Sequence, residues 1–309
     1  MKALVIGGAG FIGSNIVKIL SRLNYEIVVF DNLTTGYKRN LDNIDGVKII
    51  IGEISDKREL MRAAKGCNII FHLAASIGNI KSINDPEFDS QTNIIGTLNV
   101  LDCARKSNIK KVVYSSSAAI FGEPRYQPLD EHHSFAPDSP YGVSKLAGEL
   151  HCLCYNKLYD MENVCLRYFN VYGTNQRYDS YGNVIPIFTS LLLKNKSITV
   201  FGDGEQTRDF INVKDVAMVN VLAAKKEGVS GVFNIGTGKP ITINALAKTM
   251  KEVLNSNSPI IYSLPRKGEV LHSMANINKA KNVLGFEPSE DIYNNLHEYV
   301  NWYKTNMNT

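Results

Sequence analysis

The chain alternates between short apolar runs and longer segments in which apolar residues recur with helical spacing. The apolar, β-branched runs are residues 2–7, 26–31, 47–51, 68–74, 110–117 and 163–169. The segments with helical spacing are residues 12–22, 56–65, 87–106 and 141–159. Strands that are apolar throughout are buried on both faces, which is typical of a parallel sheet between two layers of helices. Strand-first order with right-handed crossovers predicts an α/β fold with a doubly wound parallel sheet.

The pattern loosens after residue 170, where a stretch rich in Tyr, Gly and Asn predicts irregular chain. A helix at 213–226 and a strand at 231–236 then resemble a return to the first unit. We therefore predict two interleaved domains, the second of them smaller and of mixed structure. The predicted domains are residues 1–170 with 209–238 returning to them, and the C-terminal residues 171–208 and 239–309.

Composition and charge argue against several classes of function. The 309 residues carry a net charge of +4 with both signs interspersed, so we expect no nucleic-acid-binding surface and no membrane-binding surface. Five cysteines without a C-x-x-C spacing predict a reduced, cytoplasmic protein without zinc. His132 and His133 have no third ligand spaced nearby, so we predict that they lie in an exposed loop and hold no metal.

A glycine-rich turn links the first predicted strand to the first predicted helix. In IGGAGFIGSN, Gly7, Gly10 and Gly13 follow the spacing G-x-x-G-x-x-G. The first glycine permits a tight turn, the second lets backbone approach a pyrophosphate, and the third lets the helix pack on the strand. The helix N-terminus offers amides and a positive dipole end to phosphates. The segment predicts a dinucleotide site in a Rossmann-type sheet, and the alternative is a glycine-rich turn without a ligand.

Asp31 ends the second predicted strand, where a carboxylate can accept the hydroxyl groups of a ribose. Because this carboxylate would repel a 2′-phosphate, the sequence favours NAD over NADP. Lys38 and Arg39 would argue for NADP, but we expect them to face solvent.

Tyr141 and Lys145 in SPYGVSKLAGE are four residues apart on a predicted helix and therefore share a face. A solvated surface pair is the simplest interpretation. The fifth strand, however, ends in Ser115, Ser116 and Ser117, where substrate is expected. Lowering the pKa of a tyrosine by about 3 units requires roughly 4 kcal/mol, which an ammonium and an oxidised nicotinamide nearby can supply. Tyr141 then acts as base, with Ser117 hydrogen-bonded to the same substrate oxygen.

The chain resembles a known enzyme family along nearly its whole length. The segments that carry the resemblance are GGAGFIGSN, DNL, FHLAA, NIIGTLNVL, SSSAAIFGEP, SPYGVSKLAGE and RYFNVYG. They are similar to the extended short-chain dehydrogenase/reductase superfamily, and specifically to NAD-dependent sugar-nucleotide epimerases and dehydratases. The pattern most resembles UDP-glucose 4-epimerases and their UDP-N-acetylglucosamine-accepting relatives.

Within that family, the resemblance implies an epimerase. The dehydratases carry an acid pair after the strand-five hydroxyl, whereas Ser117 is followed here by Ala118 and Ala119. Tyr141, Lys145 and Ser117 as catalytic residues can remove a hydride and return it, which inverts carbon 4 through a transient 4-keto sugar. Two alternatives stay open. One is a UDP-glucuronate 4-epimerase, with Arg177 facing the sugar carboxylate, and the other is a non-catalytic NAD-binding redox sensor.

The resemblance also implies binding residues. Glu53 is a departure, because the family usually has Asp there to hold the adenine amine. The NAD-binding set is Gly7, Gly10, Phe11, Ile12, Gly13, Asp31, Asn32, Thr35, Gly36, Glu53, Ile54, Leu73, Ala74, Ala75, Thr92, Ser115, Tyr141, Lys145 and Phe169. The set expected to bind the UDP-sugar is Ser117, Tyr141, Asn170, Asn183, Val184, Thr199, Val200, Phe201, Arg208, Arg266, Glu269 and Ser273.

Two further expectations follow from the resemblance. Ser273 falls where some 4-epimerases carry a tyrosine that excludes a 2-acetamido group, so we expect activity on UDP-N-acetylglucosamine and UDP-N-acetylgalactosamine as well as on UDP-glucose and UDP-galactose. Relatives pair the helices predicted at 87–106 and 141–159 into a four-helix interface, which implies a homodimer.

Overall fold

The computed structural model describes residues 1–176, 178, 183–266 and 270–306. Its strands, in chain order, are β1 (Lys2–Ile6), β2 (Glu26–Asp31), β3 (Val47–Ile51), β4 (Ile69–His72), β5 (Lys111–Ser117), β6 (Val164–Tyr168), β7 (Asn170–Tyr172), β8 (Ile198–Phe201), β9 (Thr207–Arg208), β10 (Phe210–Asn212), β11 (Gly231–Ile235), β12 (Ile241–Thr242) and β13 (Ile260–Ser263). Its α-helices are α1 (Phe11–Arg22), α2 (Lys57–Ala63), α3 (Asn79–Asn84), α4 (Pro86–Ser90), α5 (Gly96–Lys106), α6 (Pro140–Tyr159), α7 (Val184–Leu193), α8 (Val213–Lys225), α9 (Ile243–Leu254) and α10 (Ile292–Asn306).

The central sheet is the predicted doubly wound parallel sheet. Its seven strands lie in the order β11-β6-β5-β4-β1-β2-β3, and each neighbouring pair is parallel. The direction of winding changes between β1 and β4, because the chain moves outward to β3 and then returns to the other side of β1. Ligands of such sheets bind at the carboxyl ends of the strands beside this switch point. Strand β11 pairs with β6 and forms one edge of the sheet.

Alternate residues of the strands supply the two cores. On one face Val5 and Val29 pack with residues of α1 and α8, and on the other face Leu4 packs with residues of α2, α5 and α6. Side chains alternate between the faces of a strand, so a run that is apolar throughout feeds both layers. A third apolar cluster joins α7, α9 and α10 to β8 and lies outside the central sheet.

The predicted helix at 87–106 is broken into three parts. Asp85 accepts a hydrogen bond from the Phe88 amide and caps α4, with Pro86 in the first turn. A π-helical turn, Gln91–Ile95, then connects α4 to α5. The short helix α3 precedes them. Apolar spacing alone does not reveal such a break.

Three two-stranded sheets lie beyond the central sheet and link distant segments. They are β7 with β10, β9 with β12, and β8 with β13. Leu129 and Ala275 also form an isolated bridge, as do Thr207 and His272. These pairings bring residues 271–276 alongside β9 and the loop that follows β5.

One loop prediction is wrong. His132 is exposed, but His133 is buried between the rings of Phe121 and Tyr126. Its Nε2 accepts a hydrogen bond from the Arg125 amide, and its Nδ1 donates to the Ser134 carbonyl. Both ring nitrogens are therefore satisfied within the loop. Across the described part of the chain, no three His, Cys, Asp or Glu side chains are grouped to hold a metal ion, and no helix is long and apolar enough to span a membrane.

Candidate functional site

The β1–α1 turn shows why glycine occupies two of its three motif positions. Gly7 has φ of 79°, and a Cβ there would lie 2.6 Å from the Ala74 nitrogen. A Cβ on Gly13 would lie 2.2 Å from the Gly7 carbonyl oxygen. Gly10 differs, because its Cβ would meet only that same oxygen, at 3.2 Å. The protein itself therefore requires Gly7 and Gly13, whereas the space beside Gly10 is open for something else.

Helix α1 begins directly after this turn with Phe11, Ile12 and Gly13. Its N-cap is Gly10, which supplies no side-chain cap. A helix N-terminus without a side-chain cap presents amide donors and a positive dipole end. These amides lie at the carboxyl end of β1, at the switch point of the sheet. The arrangement suits a pyrophosphate.

Asp31 lies at the end of β2 and is buried. Its two carboxylate oxygens accept amides from Ala9, at 2.9 Å, and Leu33, at 2.8 Å. These bonds fix the carboxylate across the glycine turn and leave further lone pairs on each oxygen. The Asn32 side chain donates to both oxygens of Glu53 at 3.1 Å, so these two predicted residues do lie together.

The loop after β2 folds back over the glycine turn. The Tyr37 amide and the Asn40 side chain both donate to the Ala9 carbonyl. A Cβ on Gly36 would lie 2.8 Å from the carbonyl carbon of Ala9, so this loop approaches the turn closely. Thr35 and Gly36 are thereby held beside the turn, as the predicted set requires.

The residues after β4 form another side of the same region. The Leu73 and Ala74 amides both donate to the Ile6 carbonyl, which holds Leu73–Ala75 against the end of β1. Ile54, in the loop after β3, packs on Gly96. Thr92 is half-buried in the π-helical turn.

The three serines at the end of β5 point to different places. Ser115 donates to the Tyr168 hydroxyl at 3.2 Å, and Ser116 donates to the buried Glu149 at 2.7 Å. Ser117 caps the following 3-10 helix, and its hydroxyl lies near enough to the Tyr141 phenol to lower the pKa of that phenol. The expectation that all three lie where substrate sits is wrong for Ser116, because alternate residues face opposite sides of a strand.

Two glycines bring helix α6 close to β5 and to the 3-10 helix that follows it. A Cβ on Gly142 would lie 2.5 Å from the Ala119 carbonyl oxygen, and one on Gly148 would lie 2.3 Å from the Tyr114 hydroxyl. Ser139 caps the helix by accepting the Gly142 amide, and Pro140 occupies the first turn. This close approach sets half-buried Tyr141, in the first turn of α6, against Ser117.

Lys145 follows Tyr141 by one helical turn and is 3% exposed. Its ammonium lies 4.4 Å from the centroid of the Tyr114 ring, a cation–π contact. The Tyr114 hydroxyl in turn donates to the Lys145 carbonyl at 3.3 Å. The predicted pair is therefore no solvated surface pair.

Burial opposes charge on both members of this pair. Burial raises the pKa of Tyr141 to about 12, while the Ser117 hydroxyl lowers that pKa and the nearby Asp89 carboxylate raises it further. Burial also lowers the pKa of Lys145 to about 8. Without another positive charge beside it, the phenol is protonated at neutral pH.

A second group of predicted residues surrounds Asp209, which the sequence analysis missed. Asp209 is fully buried and accepts the amides of Thr237, Gly238 and Ala275 at 2.7–3.0 Å, together with the Thr237 hydroxyl at 2.7 Å. Its carbonyl accepts the Asn170 amide at 3.0 Å. Asp209 thus joins β7 to the segment that contains Ser273.

Arg208 and Ser273 lie on neighbouring segments of this region. The Arg208 guanidinium donates to the Thr207 carbonyl at 2.8 Å and to the Leu271 carbonyl at 3.3 Å. Ser273 is half-buried and lies between His272, which bridges to Thr207, and Met274, whose carbonyl accepts the Leu129 amide. Phe169 is buried at the end of β6, in a cluster with Ala275.

An open cleft of about 860 Å³ lies beside β8 and β13. The guanidinium carbon of Arg266 stacks 3.9 Å above the centroid of the Phe201 ring in its wall. Thr199 is half-buried in β8, whereas the Val200 side chain packs in the third apolar cluster. Val200 can therefore contact a ligand only through its backbone.

The structure describes some of the remaining predicted residues and leaves out others. Asn183 is the exposed N-cap of α7, with Val184 as the first residue of that helix. Glu269 and Arg177 lie outside the described residues.

Asp89 and Asn93 were not predicted from the sequence, and both are buried and hydrogen-bonded beneath α6. The signal that could have found them is a polar residue on the apolar face of a helix.

The residues present fit a dinucleotide. The space beside Gly10 is open, the α1 amides lie at the switch point, and Asp31 is already held across the turn. The order of these groups, phosphate-binding turn first and carboxylate at the next strand end, is that of a bound NAD.

Comparison with known proteins agrees with this geometry. The family model described as "NAD dependent epimerase/dehydratase family" matches residues 3–236. A Methanocaldococcus jannaschii protein named "Putative UDP-glucose 4-epimerase" is 42% identical over 308 residues, which cover 99% of each chain. The UDP-N-acetylglucosamine 4-epimerase of Methanobrevibacter ruminantium, solved in complex with UDP-N-acetylmuramic acid, superposes with a TM-score of 0.95 and 38% identity over 98% of each chain.

A UDP-glucose 4-epimerase from Thermotoga maritima, solved with UDP-glucose, superposes with a TM-score of 0.94 and 35% identity over 99% of this chain and 100% of that one. These similarities extend through both the sheet and the C-terminal segments. Since the family model and a close relative both cover most of its length, this chain belongs to the NAD-dependent epimerase/dehydratase family.

Proposed function

We propose that this enzyme is a UDP-sugar 4-epimerase that interconverts UDP-glucose and UDP-galactose, and also UDP-N-acetylglucosamine and UDP-N-acetylgalactosamine. The observation that carries the proposal is the Tyr141 phenol beside the Ser117 hydroxyl, which lowers the pKa of the phenol, one helical turn from buried Lys145. These groups lie at the carboxyl edge of the sheet, the same edge as the glycine turn.

NAD is the cofactor of this family, and when bound it accepts a hydride from a substrate carbon and later returns it. The glycine turn and the α1 amides would hold its pyrophosphate, and Asp31 would hold a ribose. Its positive charge would favour the phenolate of Tyr141, whose pKa burial otherwise raises to about 12.

Tyr141 then does the proton chemistry. As a phenolate it takes the proton of the C4 hydroxyl while that carbon loses its hydride, which leaves a 4-keto sugar. Ser117 donates a hydrogen bond to the same oxygen. After the keto sugar has turned over, C4 regains the hydride on its other face and Tyr141 returns the proton. Lys145 supports the phenolate by its charge.

The residues after Ser117 support epimerisation over dehydration. Ala118 and Ala119 form the 3-10 helix at this position and carry no acid or base. Elimination of water needs a second proton donor on the neighbouring carbons. Inversion needs only the one that Tyr141 supplies.

The proposed UDP contacts follow the predicted set. Arg208 and Arg266 would pair the diphosphate, Asn183 and Val184 would offer amides to it, and Phe201 would line the uracil beside Thr199 and the Val200 backbone. Guanidinium groups suit a diphosphate, because they present several donors in one plane. In this arrangement residues 171–208 and 239–309 act as the substrate domain, and Asn170 reaches the sugar or a phosphate oxygen.

Ser273 supports the wider substrate range, because its small side chain leaves room for a 2-acetamido group. Ser273→Tyr is expected to lower turnover of UDP-N-acetylglucosamine relative to UDP-glucose by about tenfold or more. An unchanged ratio of the two activities would remove this part of the proposal.

The function is tested by incubating the purified protein separately with UDP-glucose, UDP-N-acetylglucosamine and UDP-glucuronate, and following the product sugars by NMR. We expect the galacto epimers of the first two and no product from the third. Tyr141→Phe is expected to keep bound cofactor yet lower kcat by roughly 100-fold to 10,000-fold. Tyr159→Phe, at the exposed end of the same helix, is the matched control.

Each negative result has a distinct meaning. Product from UDP-glucuronate alone would make the enzyme a UDP-glucuronate 4-epimerase. Bound NAD with no product from any sugar would favour a redox sensor. A Tyr141→Phe variant as active as the wild type would overturn the proposed mechanism.

We also propose that the enzyme is a cytoplasmic homodimer. Four of its five cysteines are buried free thiols, as suits a reducing compartment. Helix α6 exposes Val143, Leu150 and Leu158 along one side, which supports a second copy of this chain as the partner.

A further inference from the structure

Asp89 is a buried carboxylate that the proposed mechanism does not use. It lies on α4 with no exposed surface. One of its oxygens accepts the Ser144 hydroxyl at 2.5 Å, and the other accepts the Asn93 side-chain amide at 3.1 Å. Within the described chain no cation forms an ion pair with it. Burying a carboxylate is costly, so its retention needs a reason.

The hydrogen-bond partners of Asp89 converge on the turn that carries Tyr141 and Lys145. Ser144 lies inside that turn, and its hydroxyl also lies 3.1 Å from the Tyr141 carbonyl. Asn93 donates to the Ser144 hydroxyl and exchanges two further bonds with the backbone of Ser76, in the loop after β4. Asp89 therefore ties α6 to the loop beside the glycine turn.

The charge of Asp89 acts on both proposed catalytic groups. Several titratable groups on the elements packed around Lys145 interact electrostatically with its ammonium. They are Cys152 and Glu149 on α6, Cys165 on β6, Asp89 on α4 and His72 on β4. The Tyr114 ring of β5 also lies against this ammonium. Glu149 is already paired with Arg167 and accepts the Ser116 hydroxyl. Burial raises the pKa of the Cys165 thiol and lowers that of His72 to about 3, so both are uncharged at neutral pH. Of the carboxylates that act on Lys145 in the described residues, Asp89 is the one that no cation neutralises.

We propose that Asp89 is a positioning residue of the active site, which holds the Tyr141–Lys145 turn in place and keeps the Lys145 ammonium charged at neutral pH. The proposal rests on the proposed function, because it concerns the same tyrosine and lysine. Burial and Asp89 have opposite effects on the pKa of Lys145. Burial lowers the pKa of Lys145 to about 8, and Asp89 is among the groups that raise it.

The effect on pH dependence has a definite sign. A carboxylate favours protonated neighbours, so it raises the pKa of both Lys145 and Tyr141. Activity requires Tyr141 deprotonated, which sets the acid limb, and Lys145 protonated, which sets the alkaline limb. Removing the charge of Asp89 therefore moves both limbs of the pH profile to lower pH. We expect each limb to move by about one pH unit.

Three variants separate charge from hydrogen bonding. Asp89→Asn removes the charge but keeps an oxygen that can accept the Ser144 hydroxyl. Ser144→Ala removes the hydrogen bond but keeps the charge. Asp85→Asn removes an exposed charge from the N-cap of the same helix and is the matched control. The pH dependence of kcat/KM is measured for each, with bound NAD quantified after denaturation.

We expect both limbs to move in Asp89→Asn, and the midpoints to stay in place in Ser144→Ala and Asp85→Asn. A role limited to folding would lower the amplitude in Asp89→Asn without moving either limb, and that result overturns the proposal. Movement of both limbs in Ser144→Ala as well would assign the effect to the hydrogen bond and would equally overturn it.

A measurement without turnover keeps this test independent of the proposed function. In the cofactor-free wild type, ¹⁵N NMR of the Lys145 ammonium and ¹³C NMR of the Asp89 carboxyl report their protonation directly. We expect Asp89 to be ionised at pH 7, and the Lys145 midpoint to fall by about one unit in Asp89→Asn. A protonated Asp89 carboxyl in the wild type at pH 7 overturns the proposal even if Asp89→Asn does not fold. Absence of epimerase activity in the wild type, by contrast, would overturn only the proposed function.

Discussion

At the scale of single residues, burial opposes the charged forms of both Tyr141 and Lys145. Tyr141 is half-buried and Lys145 is buried, and this burial raises the pKa of the phenol to about 12 and lowers that of the ammonium to about 8. Neither change favours a phenolate. In the proposed mechanism, the cationic cofactor and the charge on Lys145 together offset the burial, so that the base forms only in the loaded enzyme. Such a coupling would keep a reactive phenolate out of the empty protein.

Burial also shifts the pKa of His72, and this shift makes the stability of the fold depend on pH. Burial, with the Lys145 ammonium nearby, lowers the pKa of His72 to about 3 from 6.5. Between these pH values the unfolded chain binds a proton that the folded protein excludes, so stability falls as the pH falls through this window. One such group contributes about 1.4 kcal/mol per pH unit to the slope.

We therefore expect the free energy of unfolding, measured in urea from pH 6.5 downward, to depend less steeply on pH in His72→Gln than in the wild type. The difference should be close to one proton. His132→Gln, which alters the exposed neighbour of His133, serves as the control and should leave the slope unchanged. Equal slopes in His72→Gln and the wild type would contradict the assignment.

At the scale of elements, the glycines of the β1–α1 turn are needed for different reasons. Gly13 is needed by the protein, since a Cβ there would overlap the backbone of Gly7 and Gly8. Gly10 has a backbone that alanine can adopt, with φ of −77°, and a Cβ there would meet one oxygen at 3.2 Å. Its use is therefore for a ligand that approaches the backbone.

Gly10→Ala and Gly13→Ala should consequently separate folding from NAD binding. We expect Gly13→Ala to lower the free energy of unfolding by roughly 1–3 kcal/mol or more, as overpacking against backbone does. Gly10→Ala should change it by less than about 1 kcal/mol, yet bind NAD at least tenfold more weakly. The measurements are urea unfolding of the cofactor-free protein and calorimetric titration with NAD. Equal losses of stability in the two variants would contradict this division.

At the scale of the whole molecule, adjacent helices expose a group of apolar side chains. Phe88 and Ile95 of the α4–α5 region join Val143, Leu150 and Leu158 of α6. Scattered exposed apolar residues need no explanation, but a group on adjacent helices is typical of an interface. This is the surface by which the family resemblance implies a dimer.

Leu150→Asp is expected to shift the protein from dimer to monomer, measured by light scattering after gel filtration. A charge in a two-fold interface occurs twice, so its cost is doubled. Met218→Asp on α8 alters a side chain that is 46% exposed, against 50% for Leu150, and should leave the dimer intact. A wild type that is monomeric, or a Leu150→Asp variant that remains dimeric, would exclude this surface.

Local pattern was sufficient for much of this protein. The apolar runs predicted the six strands from β1 to β6, the return of the chain predicted β11, and the glycine spacing predicted the β1–α1 turn. The resemblance to the epimerase/dehydratase family is confirmed by the family model and the relatives. Strand alternation and helix periodicity are properties of neighbouring residues, and so they can be read along the chain.

The tertiary structure decided which side chains meet. Of three adjacent serines, Ser117 lies beside Tyr141, whereas Ser115 donates to Tyr168 of β6 and Ser116 donates to Glu149 of α6. Asp89 and Asp209 are acids in the sequence, and only the packing of distant segments around them shows that they are buried and hydrogen-bonded. His133 became a core residue for the same reason. A side chain's neighbours are set by contacts far apart in the chain, and the local sequence carries no record of them.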